Sequence, residues 1–579
     1  MCGIWLLCGL HSYESLHKND CFTKISCRGP DAWRLEMDSK MKNILLGFHR
    51  LSIVDGLYGM QPMQLHKYPH LTLMCNGEIY NHKTIAKEFD FENETKCDVE
   101  CIIHLYAAGG IENVVKNLDG VFSFILIDAN KRLIHIARDP YGVRPCFSLK
   151  TTNGVLGICS EAKGLLSVVA QAASVDGSLI SLGNELSDVD WKVTPFPPGC
   201  YESYSVGDDG RVALKAQQRY YEIGSSKPTF KTSVAWEDLP NEMFESNIRT
   251  LFTAAVEKRL MSERRIGCLL SGGLDSSLVA SLLVKLAKKN NLPYKIQSFS
   301  IGMGNSPDLI AARQVAEFIG TEHHEVTFTE KDVSKVLDKV IYTLETPDIT
   351  TIRASVGMYL LSEYIKKNTN STVILSGEGA DEIAQGYIYF RDAPDPLAGH
   401  NESLRLLKDI YLFDGLRADR TTAAHSLELR LPFLDLQFSS YYLSLPPELK
   451  QPRNGVEKYL LRNSFADMNL LPENILWRHK EAFSDGVASM SKSLFEVIQD
   501  IVDGVISDED FESNAGAYTV CTPRTKESYY YRKVFEKHYP NHCDRFMGYF
   551  WMPKWTNVTD PSARFIPHYA AGKKTNAFI

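Results

Sequence analysis

The sequence predicts two domains of different class: a strand-rich α+β half, then an α/β half built on a doubly wound parallel sheet. Three observations carry this reading. The chain has 579 residues, more than one hydrophobic core usually supports. In the first part short apolar runs are separated by turn residues, and from Ile266 onward strand-like runs alternate with helix-like ones. With 44% hydrophobic and 23% charged residues, both halves can bury ordinary globular cores.

In chain order, the strand-like runs of the first half are GIWLLCG, NILLGFHRLSIVD, LTLMCNGEIYN, VFSFILIDA, RLIHIARDPYG and VLGICSEAKG. Asp98 stands where it can cap a helix, VECIIHLYAA, that stops at Gly109-Gly110, so helices are expected against the sheets. After PFPPG, the polar stretch 207–241 has little periodicity and reads as an interdomain connection.

The second half opens on IGCLLSGGLDSS followed by LVASLLVKLAKKN. An apolar strand runs into Ser271, Gly272, Gly273, Asp275, Ser276 and Ser277 and then into a helix. The glycines let backbone N–H groups face one concavity, the hydroxyls add donors, and the helix start adds its positive end. That is an anion cradle, without the GK[ST] of a Walker-type loop. KIQSFSIG, a helix opened by Ser306 with Pro307 at its first position, HHEVTF and TVILSGEGADE continue the alternation. In such sheets ligands sit beyond the carboxyl ends of the strands, and SGGLDSS, IGMG and SGEGADE all fall at such ends.

A net charge of −8 with no long basic run argues against a nucleic-acid footprint. Thirteen cysteines without C-x-x-C spacing, an odd number, fit a reducing compartment. The sequons at Asn93, Asn370, Asn401 and Asn557 are then uninformative. CGIWLLCGL has neither preceding basic residues nor a following cleavage site, so it reads as a buried strand, and no apolar run is long enough for a membrane span.

Cys2 sits where methionine removal would leave it a free α-amine able to serve as the thiol's own general base. Alone, a cysteine there is more often a buried structural one. RGPD (28–31), GFHRLSIVD (47–55), NGEIYN (76–81), Asp98 and RDPYGVRP (138–145) accompany it. As a set they resemble the class II glutamine amidotransferases, which implies an N-terminal-nucleophile αββα sandwich. The resemblance implies Cys2 as nucleophile and Asn76 with the Gly77 N–H as oxyanion hole. It puts Arg50 on the glutamine α-carboxylate, with Leu51, Ser52, Ile53 and Val54 alongside, and Glu78 and Asp98 near the α-amine. The duller reading of Arg50 and Asp98 is a surface ion pair.

SGGLDSS in turn resembles the pyrophosphate loop of ATP pyrophosphatases. A class II glutaminase followed by such a domain is the architecture of the asparagine synthetases, and ETPDITTIRAS, SGEGADE, LRADRTTAAHSLELRLPFLD and KEAFSDG match that family in order. The tail WMPKWTNVTDPSAR resembles the animal cytosolic form. The implied domains are 2–205 (glutaminase), 226–549 (ATP-pyrophosphatase synthetase) and a tail, 550–579, whose last residues with Lys573 and Lys574 look frayed.

The implied chemistry is activation of aspartate by ATP as β-aspartyl-AMP, attack by ammonia cut from glutamine, and release of asparagine, AMP and pyrophosphate. The resemblance puts ATP against Leu269, Ser271, Gly272, Gly273, Asp275, Ser276, Ile301, Ser376 and Gly377, and Mg2+ beside Asp275 and Asp381. Glu378 is implied to meet ammonia and the intermediate, Lys480 to balance phosphoryl charge, and Thr350 and Arg353 to hold aspartate. Glu378 and Asp381 could instead merely cap the helix after SGEG. A cytosolic homodimer with an internal ammonia channel is implied, with no nucleic acid or membrane partner. Cys27, Ala380, Pro347 and His479 depart from the family pattern; Cys27, near the glutaminase chemistry, and Pro347, before the aspartate loop, put substrate affinities in doubt. Two rivals stay open: a relative that adenylates another acid, and a non-catalytic scaffold.

Overall fold

Gly3–Cys8 forms strand β1 with every residue buried, and it lies inside a six-stranded antiparallel sheet rather than at its edge. The computed structural model describes all residues except 11–20, 174–189, 226, 229, 481–485, 489–491 and 563–579. The chain divides into two units, Met1–Glu222 with Thr229–Thr232, and Ile223–Pro228 with Ser233–Ile579. Among the described residues no helix is long and apolar enough to cross a membrane.

In the first unit, β1, β2 (Ala32–Met37), β3 (Ile44–Arg50), β8 (Phe147–Thr151), β9 (Leu156–Cys159) and β10 (Trp191–Pro195) form one sheet, ordered β10-β8-β9-β1-β3-β2. The other sheet holds β4 (Met63–Leu65), β5 (Tyr68–Ile79), β6 (Gly120–Asp128), β7 (Leu133–Arg138), β11 (Cys200–Val206) and β12 (Val212–Arg219), ordered β12-β11-β7-β6-β5-β4. Side chains alternate between faces along a strand. Ile4, Leu6 and Phe48 therefore meet Met74, Ile125 and Ile136 in the core between the sheets. Leu71, Leu73 and Cys75 on the opposite face of β5 pack on Ile102, Ile103 and Leu105 of helix α1 (Glu100–Asn117). Helix α2 (Lys163–Ala173) covers the first sheet so closely that a Cβ on Gly157 would lie 2.8 Å from Leu165. The layers are helix, sheet, sheet, helix, as the sequence implied.

Two expectations need correction. Asp98 does not cap α1; its Oδ2 accepts from Ile79 N at 2.6 Å, because fixing the end of β5 places the carboxylate away from the helix start. The first helical stretch of α1 does stop at Gly109-Gly110, as expected, and a second stretch follows directly to Asn117. Part of the supposed connection is β12, which pairs with β11 in spite of its polar sequence because an edge strand needs apolar residues on little of its surface. The first unit thus runs past 205 to Glu222.

In the second unit β13 (Arg265–Leu269), β14 (Gln297–Gly302), β15 (Glu322–Thr327), β16 (Ser371–Leu375) and β17 (Glu428–Arg430) pair in parallel, ordered β15-β14-β13-β16-β17. The chain builds outward from β13 on one side, then returns to add β16 and β17 on the other. The carboxyl ends of β13 and β16 therefore flank the switch point where such sheets bind ligands. Helices α3 (Leu274–Lys289), α4 (Pro307–Ile319) and α5 (Ile349–Asn368) alternate with the strands. Ser306 caps α4 by accepting from Leu309 N at 3.4 Å, as expected. Residues 551–562 are anchored in the second unit: Trp551 is buried, and Asp560 pairs with Arg353 through an Nη1–Oδ1 contact of 2.8 Å. Lys573 and Lys574 lie outside the described residues.

Candidate active sites

Gly3 stands opposite His49 in the antiparallel pair of β1 and β3, which brings Cys2 beside Arg50 and the loop that follows. The Cys2 Sγ contacts Leu51 as donor to its carbonyl at 3.6 Å and acceptor from its N–H at 3.5 Å. Fully buried Arg28, which sequence reasoning passed over inside RGPD, donates Nε to Cys2 O at 3.0 Å and Nη1 to Glu161 Oε1 at 2.7 Å. Its neighbour must be glycine, since a Cβ on Gly29 would lie 2.3 Å from His49 C.

Asn76 on β5 is 0% exposed, yet neither amide atom has a hydrogen-bond partner among the described residues. Burying both unmet costs free energy, which marks a place where a ligand would complete them. Gly77 lies so close to β6 that a Cβ would fall 2.2 Å from Val121 O. Around them, burial pushes the Cys75 thiol well above its ordinary value, and the charges of Asp98, Cys2, Cys97 and Glu78 add to this, so these groups share one neighbourhood. Arg50 turns inward on its own loop, with Nη1 donating to Gly56 O at 3.2 Å and Nη2 to Asp55 O. Of that loop, Leu51 and Ile53 are buried, and Ser52 N donates to Asp31 Oδ2 at 2.8 Å while Val54 is half-buried. RDPYGVRP is scaffolding: Asp139 accepts from the N–H groups of Tyr141, Val143 and Arg144, and Arg138 donates to the carbonyls of Gly142, Arg144 and Phe196.

In the second unit a cavity of about 230 Å³ opens at the carboxyl ends of β13, β14 and β16. Leu269, Ser271, Gly273, Asp275, Ser276, Ile301, Ser376, Gly377, Glu378 and Asp381 all line it, as do Thr350, Arg353 and Lys480. Two members of the expected cradle do not. Gly272, at φ +72°, makes the turn and backs on Ala311, while Ser277 is fully buried outside the cavity. The loop is closed by Ser276, whose Oγ accepts from Ser271 N at 3.1 Å and lies 3.0 Å from Ser271 Oγ. A Cβ on Gly377 would lie 2.7 Å from Ser276 N, so SGGLDSS and SGEGADE touch through their backbones.

The charged groups form two clusters. Lys458, only 2% exposed and in left-handed backbone at φ +56°, sets its Nζ 2.5 Å from Asp275 Oδ2 and 2.6 Å from Asp381 Oδ1. Lys480 reaches Asp381 Oδ2 at 2.6 Å. Burial pushes the Asp381 carboxyl up, but the two ammonium groups outweigh it and hold it well below the usual range. In the other cluster Arg417 joins Glu378 at 2.7 Å and Asp414 at 2.6 Å, and Tyr387 donates to Asp414 at 2.9 Å and Glu382 at 2.7 Å. Burial raises Glu378 in spite of Arg417. Lys458 and Arg417 lay in EKYLLR and LRADR; only distance in the fold reveals them, since a basic residue in a polar string is usually solvated.

Arg353 lines the cavity with its guanidinium already paired. Its guanidinium is bidentate to Glu527, at 2.7 and 2.6 Å, and to Asp560, at 2.8 and 2.9 Å, so the fork is filled by the chain's own carboxylates. Thr350 lines the same cavity, and its buried Oγ1 has no hydrogen-bond partner among the described residues. Glu378 and Asp381 cap nothing, because the short helix Ala380–Ile383 starts from Gly379. Of the departures, His479 lines the cavity and Ala380 is buried.

Comparison with known proteins agrees with this arrangement. The glutamine amidotransferase domain family matches residues 1–212, and the asparagine synthase family matches 247–398 and 394–559. The chain is 52% identical to the asparagine synthetase [glutamine-hydrolyzing] of Cricetulus griseus, over 99% of this chain and 100% of that one. It is 53% identical to the Gallus gallus protein of that name, over 98% and 99%, and 51% identical to the Homo sapiens one, over 99% and 100%. With two matching domains in sequence and likeness running from end to end, the chain belongs to the glutamine-hydrolysing asparagine synthetases.

Proposed function

We propose that the chain makes asparagine from aspartate, using ATP and taking its nitrogen from glutamine. The observation that carries this is the cavity of the second unit, where an anion cradle, two lysines and two carboxylates meet at the switch point of a parallel sheet. Its loop N–H groups and the start of α3 hold phosphate oxygens. Leu269 and Ile301 supply an apolar wall for the adenine. Thr350, with its open hydroxyl, belongs to the aspartate subsite, and Arg417 replaces Arg353 as the guanidinium nearest the reacting groups. The β-carboxylate of aspartate attacks the α-phosphorus of ATP, pyrophosphate leaves into the cradle, and ammonia then displaces AMP from the acyl carbon. Lys458 and Lys480 offset the charge on the phosphates, and Glu378, its carboxyl raised by burial, takes the proton that ammonia must lose.

Asp275 and Asp381 would hold Mg2+. Among the described residues no cluster of three or more ligating side chains exists, and two carboxylates suit a cation that keeps waters and bridges phosphates. Asp275 Oδ1 is buried without a hydrogen-bond partner among the described residues, which fits a further ligand. Bound there, the metal would neutralise charge on the phosphates.

In the first unit removal of Met1 would free the Cys2 amine, the thiolate attacks the glutamine amide carbon, and the Asn76 amide with the Gly77 N–H receives the oxyanion. Glu78 and Asp98 face the glutamine α-amine. We also assign the protein to the cytosol as a homodimer, a reading supported by thirteen free thiols and by the family, and tested by sedimentation.

The decisive assay couples pyrophosphate release to an indicator, with and without aspartate, and follows glutamate release in the same sample. Cys2→Ala should stop glutamate release while synthesis from added ammonium continues. Pyrophosphate release that ignores aspartate but responds to another acid would replace this function with the rival one.

A further inference from the structure

Most of the cysteines are sealed in the cores, as are Cys8 and Cys268, where burial pushes the thiol up. Cys521 and Cys543 are arranged differently. They flank helix α6 (Lys526–His538), and Met547 is tied to both. The Met547 N–H donates to Cys543 O at 2.9 Å, and its carbonyl accepts from Cys521 Sγ at 3.8 Å. The peptide groups of one residue thus hold the two cysteines side by side. Cys543 is buried, whereas Cys521 is half-buried and sits in left-handed backbone at φ +48°. Arg532 of α6 pins the approach to Cys521, with Nη1 donating to Val520 O at 2.8 Å and the guanidinium 4.7 Å from the Tyr518 ring centre. The hydrogen bond from Cys543 first, then Arg532, bring the Cys521 thiol down to about 7, against burial and the charge of Asp348. A thiol so placed is partly thiolate at neutral pH and open to oxidants.

We propose that Cys521 and Cys543 form a peroxide-responsive pair whose closure to a disulfide alters the wall of the synthetase cavity. The Cys521 thiolate attacks hydrogen peroxide, breaking its O–O bond to give a sulfenic acid and hydroxide. The Cys543 thiol then displaces water from that sulfur, forming the S–S bond. Two thiols are oxidised, one peroxide is reduced to two waters, and a thiol reductant reverses the change. The consequence follows from Met547. Once Cys521 has no S–H, the Met547 carbonyl loses its donor, and this residue leads into Trp551, which lines the cavity and donates its N–H to Asp348 Oδ1 at 3.1 Å. Asp348 also caps α5, on which Thr350 and Arg353 stand, by accepting from Thr351 N at 2.9 Å. Helix α6 itself carries Glu527, the partner of Arg353.

The test uses the reduced full-length chain, treated with hydrogen peroxide and quenched with catalase. Peptide mapping without reductant should find the Cys521 peptide joined to the Cys543 peptide with loss of two hydrogens, restored by dithiothreitol. Pyrophosphate release driven by added ammonium, which bypasses Cys2, should fall several-fold and recover on reduction. Cys521→Ser should have the parent's basal rate, form no cross-link and resist peroxide; Cys521→Gly, which suits the positive φ, serves as a second variant. Cys543→Ser should leave a sulfenic acid at Cys521 that dimedone traps. Failure to find the joined peptides overturns the pair, and a cross-link with unchanged pyrophosphate release overturns its effect on the cavity. So does equal peroxide inactivation of Cys521→Ser. The activity readout rests on the proposed function, whereas the mapping does not, so a reduced chain that releases no pyrophosphate but forms the cross-link condemns that function and supports the pair.

Discussion

Replacing Arg353 with lysine separates a structural role from a substrate-binding one. The guanidinium makes four charge-assisted hydrogen bonds, two to each of Glu527 and Asp560, and Glu527 is almost wholly buried. A lysine ammonium keeps the charge but cannot span both carboxylates in two planar forks. Losing two of the four at about 1.5–3 kcal/mol each, partly recovered by the ammonium, gives an expected destabilisation of about 2–4 kcal/mol. Asp560 retains 15% side-chain exposure, so water softens its share and the lower part of that range is favoured. The denaturant midpoint of the second unit should fall, whereas the Michaelis constant for aspartate should stay near the parent's under conditions where the variant remains folded. Glu527→Gln should lose stability too, and the double variant should lose less than the sum, because the two residues share one interaction. An unchanged midpoint combined with an aspartate Michaelis constant raised about tenfold, roughly 1.4 kcal/mol, would show that the fork faces substrate after all.

Asn76→Ala removes two buried amide atoms that have no partner among the described residues, so stability should hold or rise while glutamine turnover falls by about 10²–10³-fold, the scale of one lost oxyanion donor; unfolding curves and glutamate release read the two effects. Asp275→Asn should lower pyrophosphate release and weaken its dependence on magnesium while glutamate release continues, which a magnesium titration on one folded sample measures. Asp435, buried between Lys258 at 2.6 Å and Arg259 at 2.8 Å, is pushed up by burial but held below the ordinary range by those cations. Its folded value lies below the unfolded one, so its stabilisation is present above about pH 3.9 and is lost as the pH falls through the folded value. Asp435→Asn should therefore be less stable by about 3 kcal/mol at neutral pH, with the difference fading in acid when urea midpoints are compared across pH.

What could be read from the sequence was what periodicity and loop chemistry record locally. The six strand runs of the first half and four of the five parallel strands were legible, because their apolar residues are contiguous or alternate. β17 escaped notice, being only Glu428–Arg430 inside a charged string, and β12 was taken for a connection because an exposed edge strand looks like a loop. SGGLDSS and SGEGADE could be placed together by topology alone. Lys458 could not, since it stands 183 residues from Asp275 and meets it only through the fold. The ion pairs of Arg353 are hidden for the same reason, as its partners lie 174 and 207 residues away. Arg28 was quoted within RGPD, but nothing local says that it grips the Cys2 carbonyl.

The place of β1 sets an order of events during synthesis. Although first made, it sits between β3 and β9, and Ile4 N donates to Ser160 Oγ across 156 residues. Until β9 has left the ribosome the strand has a neighbour on one side only. At about 5–20 residues per second that interval, about 110 residues of chain, lasts roughly 5–20 s. Met1 is 1% exposed once the sheet has closed. The removal of Met1 proposed above therefore has to precede closure of the sheet.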